Sequence, residues 1–420
     1  MPQTKYLIIG SSHAGLAALD VIRGHDEKGS LTVVSKDNTR PYSPTILPYV
    51  ISGDKTAQDV DLRDTDYFQK QNATFKPGTS VLGVDPKAKK VRLDSGEEIE
   101  YEKLLLATGA NAAVPPFPGV EEVSYNVVRT LEDAKNLRDK IENSTSAIVL
   151  GAGLIAMHSA ENLAQAGLKV TVVVRRKVSL FSYFSGEAAK MIEKVFAENG
   201  VRIATGYGVE KIAAKNGGCT VTLQSGEDLN ADLLLMATGV RPRIEYLKES
   251  GIEVDQGVLV DEWMRTSAPD VWAAGDVAQA PGFFDPQPQV NATLPNASVQ
   301  GRVAGLGMVN DPNAKPFPGS SGLNTFNFFG NHAFSVGLGT ETENTDDTEV
   351  NTSFLPSGLQ YQKLVFQGKH LVGVSAINSD LDPGVMREII QRKIDLSPIK
   401  TKFTNAPKET GRLLMTKHWR

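Results

Sequence analysis

Cysteine is nearly absent from this 420-residue chain, which contains only Cys219. A single cysteine excludes an intrachain disulfide, a Cys-x-x-Cys redox pair and a cysteine cluster that could hold a metal. Cys219 lies in a segment typical of a hairpin, and nothing nearby in the sequence would lower its pKa. A structural thiol is therefore favoured over a catalytic one, and no metal site is expected.

Long apolar runs and an excess of positive charge are also missing. No stretch approaches the roughly 20 apolar residues that would span a bilayer, and the N-terminus shows no signal-peptide pattern. The 44 Lys and Arg residues are outnumbered by 49 Asp and Glu residues, so nucleic acid is not an expected partner. The length and composition predict a soluble, cytoplasmic protein of two or three domains with no membrane association.

A glycine-rich turn, by contrast, occurs twice. The first turn, residues 10–15, follows the apolar run that ends at Ile9, and the second, residues 151–156, follows the run that ends at Leu150. Each lies between a predicted strand and a predicted helix. Small residues there let the backbone approach a pyrophosphate, and the helix N-terminus presents free N–H groups to its charge.

Each turn is followed, further along the chain, by an Ala-Thr-Gly segment. The first segment is at residues 107–109 and the second at residues 237–239. The order of predicted elements before the first segment recurs before the second. One glycine turn is weak evidence for dinucleotide binding, but a turn and an Ala-Thr-Gly segment that recur together are much stronger evidence. The chain therefore reads as a duplicated plan for binding two dinucleotides.

We predict an α/β protein with two Rossmann-like, three-layer nucleotide-binding domains, the second inserted in the first, and a C-terminal α+β domain. The Pro-rich stretch 111–119 predicts the first boundary, and residues 258–276 return to a strand-like pattern. The expected division is 1–116 with 245–318 for the first domain, 117–244 for the second and 319–420 for the third. We interpret the Gly-, Pro- and Asn-rich stretch 304–322 as a linker.

These turns, together with the motif that ends at Asp276, give the chain a resemblance to a known superfamily over about its whole length. It resembles the FAD-dependent pyridine-nucleotide oxidoreductases related to glutathione reductase, in particular coenzyme-A-disulfide reductases, NADH oxidases and rubredoxin or ferredoxin reductases. The resemblance implies FAD at the first turn and NAD, with NADP as an alternative, at the second. It also implies a homodimer interface in the C-terminal domain.

The resemblance implies two sets of cofactor-binding residues. The FAD set is Gly10, Ser12, His13, Ala14, Gly15, Asp37, Arg40, Pro44, Thr45, Ala107, Thr108, Gly109, Gly275, Asp276 and Ala297. The nicotinamide set is Gly151, Gly153, Leu154, Ile155, Arg175, Arg176, Thr238 and Gly239. Asp276 would bind the ribityl chain, and a helix over 297–302 would direct its N-terminus at the flavin. Asp37 would bind the adenosine ribose, with an ordinary surface turn as the alternative.

The departures from the family pattern concern the reacting groups. Thr45 stands where coenzyme-A-disulfide reductases have their cysteine. A hydroxyl cannot cycle between thiol, sulfenate and disulfide, so disulfide and peroxide reduction by that route are excluded. His158 and Tyr49 occupy the positions of a family glutamate and lysine. We list Thr45, His158 and Tyr49 as candidate catalytic residues, and His158 would exchange a proton with reduced flavin; simple packing is the alternative for His158.

The nicotinamide selectivity stays open at this stage. The strand ending at Val174 lacks the acid that would bind both ribose hydroxyls of NADH, and Arg175 and Arg176 follow at once. Two guanidinium groups suit the 2′-phosphate of NADPH. Charged residues after a strand are also ordinary surface residues, and many members of the superfamily use NADH.

Because no redox cysteine can carry electrons away from the flavin, they would leave it directly. We predict electron transfer between NAD(P)(H), FAD and an iron–sulfur protein or subunit. A weaker resemblance, to the flavin subunits of 2-oxoacid oxidoreductases such as phenylglyoxylate dehydrogenase, suggests that electrons run to NAD+. The alternatives are an NADH oxidase that uses dioxygen and a non-catalytic, flavin-bound scaffold. The expected assembly is a homodimer or a hetero-oligomeric complex.

Overall fold

A computed structural model describes residues 3–215, 217–338, 347–355 and 358–418. The α-helices are α1 (His13–His25), α2 (Leu47–Ser52), α3 (Tyr67–Lys70), α4 (Leu131–Ile141), α5 (Leu154–Gln165), α6 (Gly186–Glu198), α7 (Leu294–Met308), α8 (Pro383–Gln391), α9 (Lys400–Asn405) and α10 (Pro407–His418). In the ranges so described, none of these helices combines the length and the apolar character needed to cross a membrane.

The described residues also form a series of strands. They are β1 (Gln3–Ile9), β2 (Leu31–Val34), β3 (Thr74–Lys76), β4 (Val81–Asp85), β5 (Lys90–Leu93), β6 (Glu98–Leu106), β7 (Ala110–Ala112), β8 (Ser146–Leu150), β9 (Lys169–Val174), β10 (Arg202–Thr205), β11 (Val209–Lys215), β12 (Gly218–Leu223), β13 (Asp228–Ala231), β14 (Leu233–Met236), β15 (Val240–Pro242), β16 (Val258–Leu259), β17 (Val271–Ala273), β18 (Ala278–Pro281), β19 (Pro288–Gln289), β20 (Leu323–Phe328), β21 (Asn331–Gly337), β22 (Thr348–Leu355), β23 (Gln360–Gln367) and β24 (His370–Ile377).

The chain divides into two compact units, each assembled from separate stretches. The first unit comprises Met1–Thr45, Ala57–Asn111 and Val240–Ser321. The second comprises Ile46–Thr56, Ala112–Gly239 and Gly322–Arg420. These junctions lie close to the predicted boundaries at 116/117, 244/245 and 318/319. The second unit holds both a nucleotide-type sheet and the C-terminal sheet, so their separation into two domains stays a prediction.

The first unit is built on a seven-stranded sheet in the order β3-β2-β1-β6-β5-β4, with β17 paired to β6. β1 runs parallel to β2 and β6, and β17 runs parallel to β6. Near-continuous runs of Leu, Ile and Val make these strands buried on both faces, as parallel sheets require. The return of β17 to this sheet confirms that the first nucleotide-binding fold resumes after the inserted one.

Helices α1 and α7 of the first unit pack together closely because glycine replaces a side chain at their crossing. A Cβ at Gly301 would lie 2.2 Å from the carbonyl oxygen of Ala14. Ala304, Gly305 and Met308 are buried in the same helix. The interpretation of residues 304–322 as a linker is therefore wrong for residues 304–308, whose glycines serve helix packing.

The second unit repeats the plan of the first in a four-stranded parallel sheet, β10-β9-β8-β14. An antiparallel sheet, β11-β12-β13, follows it, and the C-terminal part forms a five-stranded antiparallel sheet, β20-β21-β24-β23-β22. Aromatic side chains of β20 join these parts, because Phe326 and Phe328 stack near Phe196 of α6. The predicted α/β class with two Rossmann-like folds and a C-terminal α+β part is confirmed.

The stretch Ile46–Thr56 belongs with the second unit, although the sequence placed it in the first domain. Its helix α2 packs on α4 and α5. The Arg138 guanidinium of α4 donates hydrogen bonds to the carbonyl oxygens of Ile51 and Ser52, and the Asn162 amide of α5 donates one to Pro48. These backbone contacts, which no local pattern encodes, determine where the segment lies.

Candidate functional site

The first glycine turn is shaped by a backbone contact that only glycine allows. Gly10 follows β1 with a φ of +115°, and a Cβ there would lie 2.0 Å from the carbonyl oxygen of Ala107. A Cβ at Gly15 would lie equally close to the carbonyl oxygen of Gly10. Ser12 precedes α1 and makes no side-chain capping hydrogen bond. The turn therefore brings bare backbone and a helix N-terminus to the carboxyl edge of the sheet, as pyrophosphate binding requires.

The first Ala-Thr-Gly segment continues β6 beside this turn. The N–H of Ala107 donates to the carbonyl oxygen of Ile9 at 2.8 Å. The Thr108 hydroxyl donates to the carbonyl oxygen of Arg243, and Gly109 has a φ of +69°. Thr108 thus fixes the chain where it leaves the sheet, and the segment braces the turn.

The second turn repeats these contacts in the second unit. Gly151 has a φ of +110°, and a Cβ there would lie 2.2 Å from the carbonyl oxygen of Ala237. The N–H of Ala237 donates to the carbonyl oxygen of Leu150, and the Thr238 hydroxyl donates to that of Ala113. Gly153 precedes α5, which begins at Leu154. The duplication inferred from sequence therefore extends to individual backbone contacts.

Several buried polar atoms of the first unit have no hydrogen-bond partner among the residues that the structure describes. The Thr293 hydroxyl and the Asn296 amide nitrogen, both near the N-terminus of α7, are buried and unpaired. The Thr39 hydroxyl, in the loop after β2, is buried and unpaired too. Buried polar groups normally find a partner, so these atoms mark places where a bound group would complete the bonding. Together with the bare turn at Gly10, they fit a dinucleotide such as FAD.

The residues proposed for the flavin end of this site lie on well-fixed backbone. Gly275, with a φ of +81°, donates its N–H to the Gln300 side chain of α7 at 2.8 Å. Ala297 is buried in the first turns of α7, which begins at Leu294 rather than at Ala297. Asp276 follows Gly275 directly. The binding of the ribityl chain by Asp276 and the position of Ala297 at the flavin stay predictions.

The predicted adenosine end already has partners inside the first unit. The Asp37 carboxylate accepts a hydrogen bond from the Tyr42 hydroxyl at 3.1 Å. Arg40 forms an ion pair with Asp61. These contacts hold the loop in place, and they leave the ribose-binding role of Asp37 a prediction.

Three hydrogen-bonded side chains lie at the position to which the sequence resemblance assigns the redox cysteine of coenzyme-A-disulfide reductases. The Nε2 atom of His13 lies 2.9 Å from the Ser43 hydroxyl, which lies 2.8 Å from the Thr45 hydroxyl. Ser43 is buried, His13 is half-buried and Thr45 is exposed. Burial and the nearby Arg63 lower the pKa of His13, against the opposing charge of Asp276. At neutral pH the imidazole is therefore neutral and able both to give and to take a proton.

Three consecutive cations follow β9 in the second unit. Arg175, Arg176 and Lys177 are all exposed. The Arg176 guanidinium lies 3.6 Å from the ring centre of Phe181, a cation–π contact that orients it. The Tyr183 hydroxyl faces the turn, since a Cβ on Gly153 would lie 4.0 Å from it. This edge presents positive charge and aromatic rings to whatever binds at the turn.

His158 of α5 packs against the C-terminal sheet within the second unit. Its ring centre lies 4.8 Å from that of Phe326, and its Nε2 atom donates to the carbonyl oxygen of Asn327 at 3.0 Å. Burial lowers the pKa of His158. One turn later, Glu161 accepts a hydrogen bond from the N–H of Phe329. These are the contacts that the packing alternative requires, and the catalytic role stays a prediction. Tyr49, on α2, is exposed.

We expect His158→Ala to slow the reduction of the flavin by nicotinamide about tenfold if His158 exchanges a proton there. His158→Gln is the discriminating variant, because its amide can still donate to Asn327 but cannot carry a proton. Stopped-flow absorbance at the flavin band gives the rate, and the midpoint of thermal unfolding reports packing. Full recovery of the rate in the glutamine variant would show that His158 acts only by position.

Five residues near these sites were not predicted from the sequence: Thr39, Ser43, Tyr183, Thr293 and Asn296. Ser43 and Asn296 stand next to predicted residues, but a single hydroxyl in a loop or a single amide in a helix carries no motif. Their significance lies in burial and pairing, which depend on distant segments.

Cys219 lies in β12, where burial raises the pKa of its thiol to about 11, so the structure supports a structural role. In the described ranges, no three His, Cys, Asp or Glu side chains are arranged to hold a metal ion.

The two braced turns and the unpaired polar atoms define a protein that binds two dinucleotides, and sequence comparison agrees. The chain belongs to the pyridine nucleotide-disulphide oxidoreductase family, whose model matches residues 4–301. It is therefore an FAD-dependent oxidoreductase that uses a nicotinamide dinucleotide.

Particular relatives narrow this class. The chain is 46% identical over 418 residues to the NADH-dependent phenylglyoxylate dehydrogenase subunit epsilon of Aromatoleum evansii, covering 99% of this chain and 98% of that protein. It is 31% identical to the rubredoxin-NAD(+) reductase of Pseudomonas putida, covering 74% and 82%. Its fold matches the ferredoxin reductase for the CYP199A2 system from Rhodopseudomonas palustris with a TM-score of 0.85 at 24% identity, covering 94% and 96%.

Proposed function

We propose that this protein transfers electrons between NAD(H) and an iron–sulfur protein or subunit, as the NAD+-reducing flavin subunit of a 2-oxoacid oxidoreductase complex. FAD would be bound by the first unit and the nicotinamide dinucleotide by the second. Bound flavin accepts or gives a hydride and exchanges electrons singly. The observation that carries the proposal is Thr45, a hydroxyl in the position of the redox thiol.

The absence of a usable thiol sets the route of the electrons. Thr45 cannot form a disulfide or a sulfenate. The only other candidate in the sequence, Cys219, is buried in β12 with a raised pKa, so it is held as a thiol and away from exchange chemistry. Electrons therefore pass directly between the flavin and an external one-electron partner.

The choice of partner rests on similarity along the whole chain. The Aromatoleum protein is matched over nearly its full length, and its name describes one subunit of a larger NADH-dependent enzyme. The Pseudomonas protein is named for rubredoxin and NAD+. Both names are consistent with a one-electron carrier on one side and a nicotinamide on the other. Assembly with further subunits, or as a homodimer, and a cytoplasmic location stay part of this proposal.

The proposal is tested with the flavin-loaded protein under anaerobic conditions, using a chemically reduced bacterial ferredoxin as the probe. We expect ferredoxin-dependent formation of NADH, followed at 340 nm, and slow consumption of NADH in air without ferredoxin. Rapid NADH consumption in air would establish the oxidase alternative instead. Very slow reduction of the flavin by reduced ferredoxin and by NADH, with a change of oligomeric state on adding NADH, would establish the scaffold alternative.

The cations after β9 give a separate prediction about selectivity. Replacing both Arg175 and Arg176 by alanine should lower kcat/KM for NADPH about tenfold or more, because a 2′-phosphate loses charge-assisted hydrogen bonds. The value for NADH should change little. Lys190→Ala, on the exposed side of α6, is the control for loss of positive charge in the same unit. Equal losses for both cofactors would contradict a phosphate-binding role.

A further inference from the structure

The three hydrogen-bonded groups His13, Ser43 and Thr45 form a continuous path within the first unit. Each step is of hydrogen-bond length, 2.9 Å from His13 to Ser43 and 2.8 Å from Ser43 to Thr45. A neutral imidazole nitrogen and the two hydroxyls can each donate or accept. A proton can therefore pass along the path in either direction by reversal of the hydrogen bonds.

The outer end of the path opens on a cavity. His13 lines a space of about 370 Å³ together with Asp20, Arg63, Ser298 and Arg302. The lining combines these polar side chains with apolar ones such as Leu16 and Leu62, and its polar groups can hydrogen-bond water, which would bring protons to His13 or remove them. Arg63 is held by Asp20 at 2.9 Å, so the wall of the cavity is fixed by a charge pair. The opposite end of the path, which we call the inner end, is the hydroxyl of Thr45. Thr45 is exposed in the structure, and the family resemblance places the flavin beside it.

The proposed reaction needs one proton at that inner end. Two electrons from a one-electron donor such as a reduced iron–sulfur protein, one proton and one NAD+ give one NADH. The hydride that leaves for NAD+ carries that proton with both electrons, so each cycle has to take up one proton from solvent. In the opposite direction the same proton has to be released.

Resting on the function proposed above, we infer that His13, Ser43 and Thr45 are a proton relay that replaces the redox cysteine of the family. His13 takes a proton on its Nδ1 atom from water in the cavity and gives the one on Nε2 to Ser43. Ser43 passes its own proton to Thr45, whose hydroxyl would supply one to the flavin when it is bound. Four proton transfers, from water to His13 and onward through Ser43 and Thr45 to the flavin, move one net proton inward and leave each group neutral.

The charges around His13 favour transfer over storage of a proton. Arg63 and burial disfavour imidazolium, whereas Asp276 favours it. Arg302 and Asp20, on α7 and α1, face the same cavity. An imidazole held neutral gives up an added proton readily, as a relay requires.

The test compares two ways of reducing the flavin in the loaded protein. Reduction by NADH brings its own proton within the hydride, whereas reduction by reduced methyl viologen, a one-electron donor, takes the proton from solvent. We expect Thr45→Val and Ser43→Ala to slow the methyl viologen reaction at least about tenfold more than they slow reduction by NADH. The wild-type methyl viologen reaction should also be slower in D₂O.

Two control variants separate the relay from general damage. Thr45→Ser keeps the hydroxyl and should restore the rate. Thr4→Val removes another buried hydroxyl, one that donates to Tyr6 in β1, and should not alter either rate. As a readout apart from turnover, the pKa of His13 measured by NMR should move in Ser43→Ala and stay constant in Thr4→Val.

The outcomes distinguish the relay from the function on which it rests. Normal reduction by both donors in the Thr45 and Ser43 variants would overturn the relay and leave the proposed function intact. Equal slowing of both reactions would also overturn it, since that result indicates a positional role only. Failure of NADH to reduce the wild-type flavin at all would overturn the proposed function itself.

Discussion

Replacing Gly10 by alanine is expected to give a destabilised protein that is purified without flavin. The added methyl group would lie 2.0 Å from the carbonyl oxygen of Ala107, at a φ of +115° that side chains rarely adopt. Backbone strain and overpacking together cost at least about 3 kcal/mol. The turn has to move, and the cradle for the pyrophosphate is lost. Denaturant unfolding and the ratio of flavin to protein absorbance measure the two effects.

The matched control is Gly24→Ala at the end of α1, where no atom lies within 4 Å of the added methyl group. Alanine in a helix is more favourable than glycine by roughly 0.5–1 kcal/mol, so this variant should bind flavin and be as stable as the parent or slightly more so. A Gly10→Ala protein that retained flavin and full stability would show that the first turn does not approach the cofactor.

Replacing Gly151 by alanine is expected to separate the two cofactors. The methyl group would meet the carbonyl oxygen of Ala237 at 2.2 Å, and this contact lies in the second unit. The protein should still bind flavin, but its kcat/KM for NADH should fall about 100-fold or more, because the second turn can no longer receive a pyrophosphate. Steady-state kinetics with ferricyanide as electron acceptor, beside the flavin spectrum, measures both quantities.

Gly186→Ala serves as the control in the same unit. Gly186 begins α6 and has no atom within 4 Å of an added methyl group, so NADH reduction should be preserved. Loss of flavin from the Gly151→Ala protein would indicate that the second turn supports the flavin fold, contrary to the assignment of the turns.

The duplicated nucleotide-binding plan could be predicted from the sequence because its determinants are local. An apolar run, a turn of small residues and a helix follow one another within about 25 residues, and the close approach at Gly10 or Gly151 admits no other residue. The Ala-Thr-Gly segments add a second local signal. Strand and helix positions around both turns were accordingly predicted to within a few residues.

Features that depend on distant packing were not predictable. The glycines at the end of α7 look like part of a flexible linker in sequence, yet a Cβ at Gly305 would lie 2.9 Å from the carbonyl oxygen of Ala18 in α1. Helix α2 lies with the second unit because Arg138, almost 90 residues further on, binds its carbonyl oxygens.

The residues of the candidate site likewise divide into those with a local signal in the sequence and those defined by distant contacts. The glycines, Thr45 and the cations after β9 could be named, since each belongs to a motif or departs from one. Ser43 and Asn296 could not, because a serine in a loop and an asparagine in a helix gain significance only when they become buried. The contacts of His158 with Phe326 and Asn327 come from a strand about 170 residues away.

The interleaving of the two units along the polypeptide has a consequence for biosynthesis. β17, the last strand of the first sheet, is made after the whole inserted stretch, and α7 follows later still. Because protein domains fold as units during translation, the N-terminal part of the first unit cannot complete its fold until β17 and α7 have been synthesised. The first unit can be completed only after α7, which ends at Met308, has left the exit tunnel, so its folding is a late event in the synthesis of the chain.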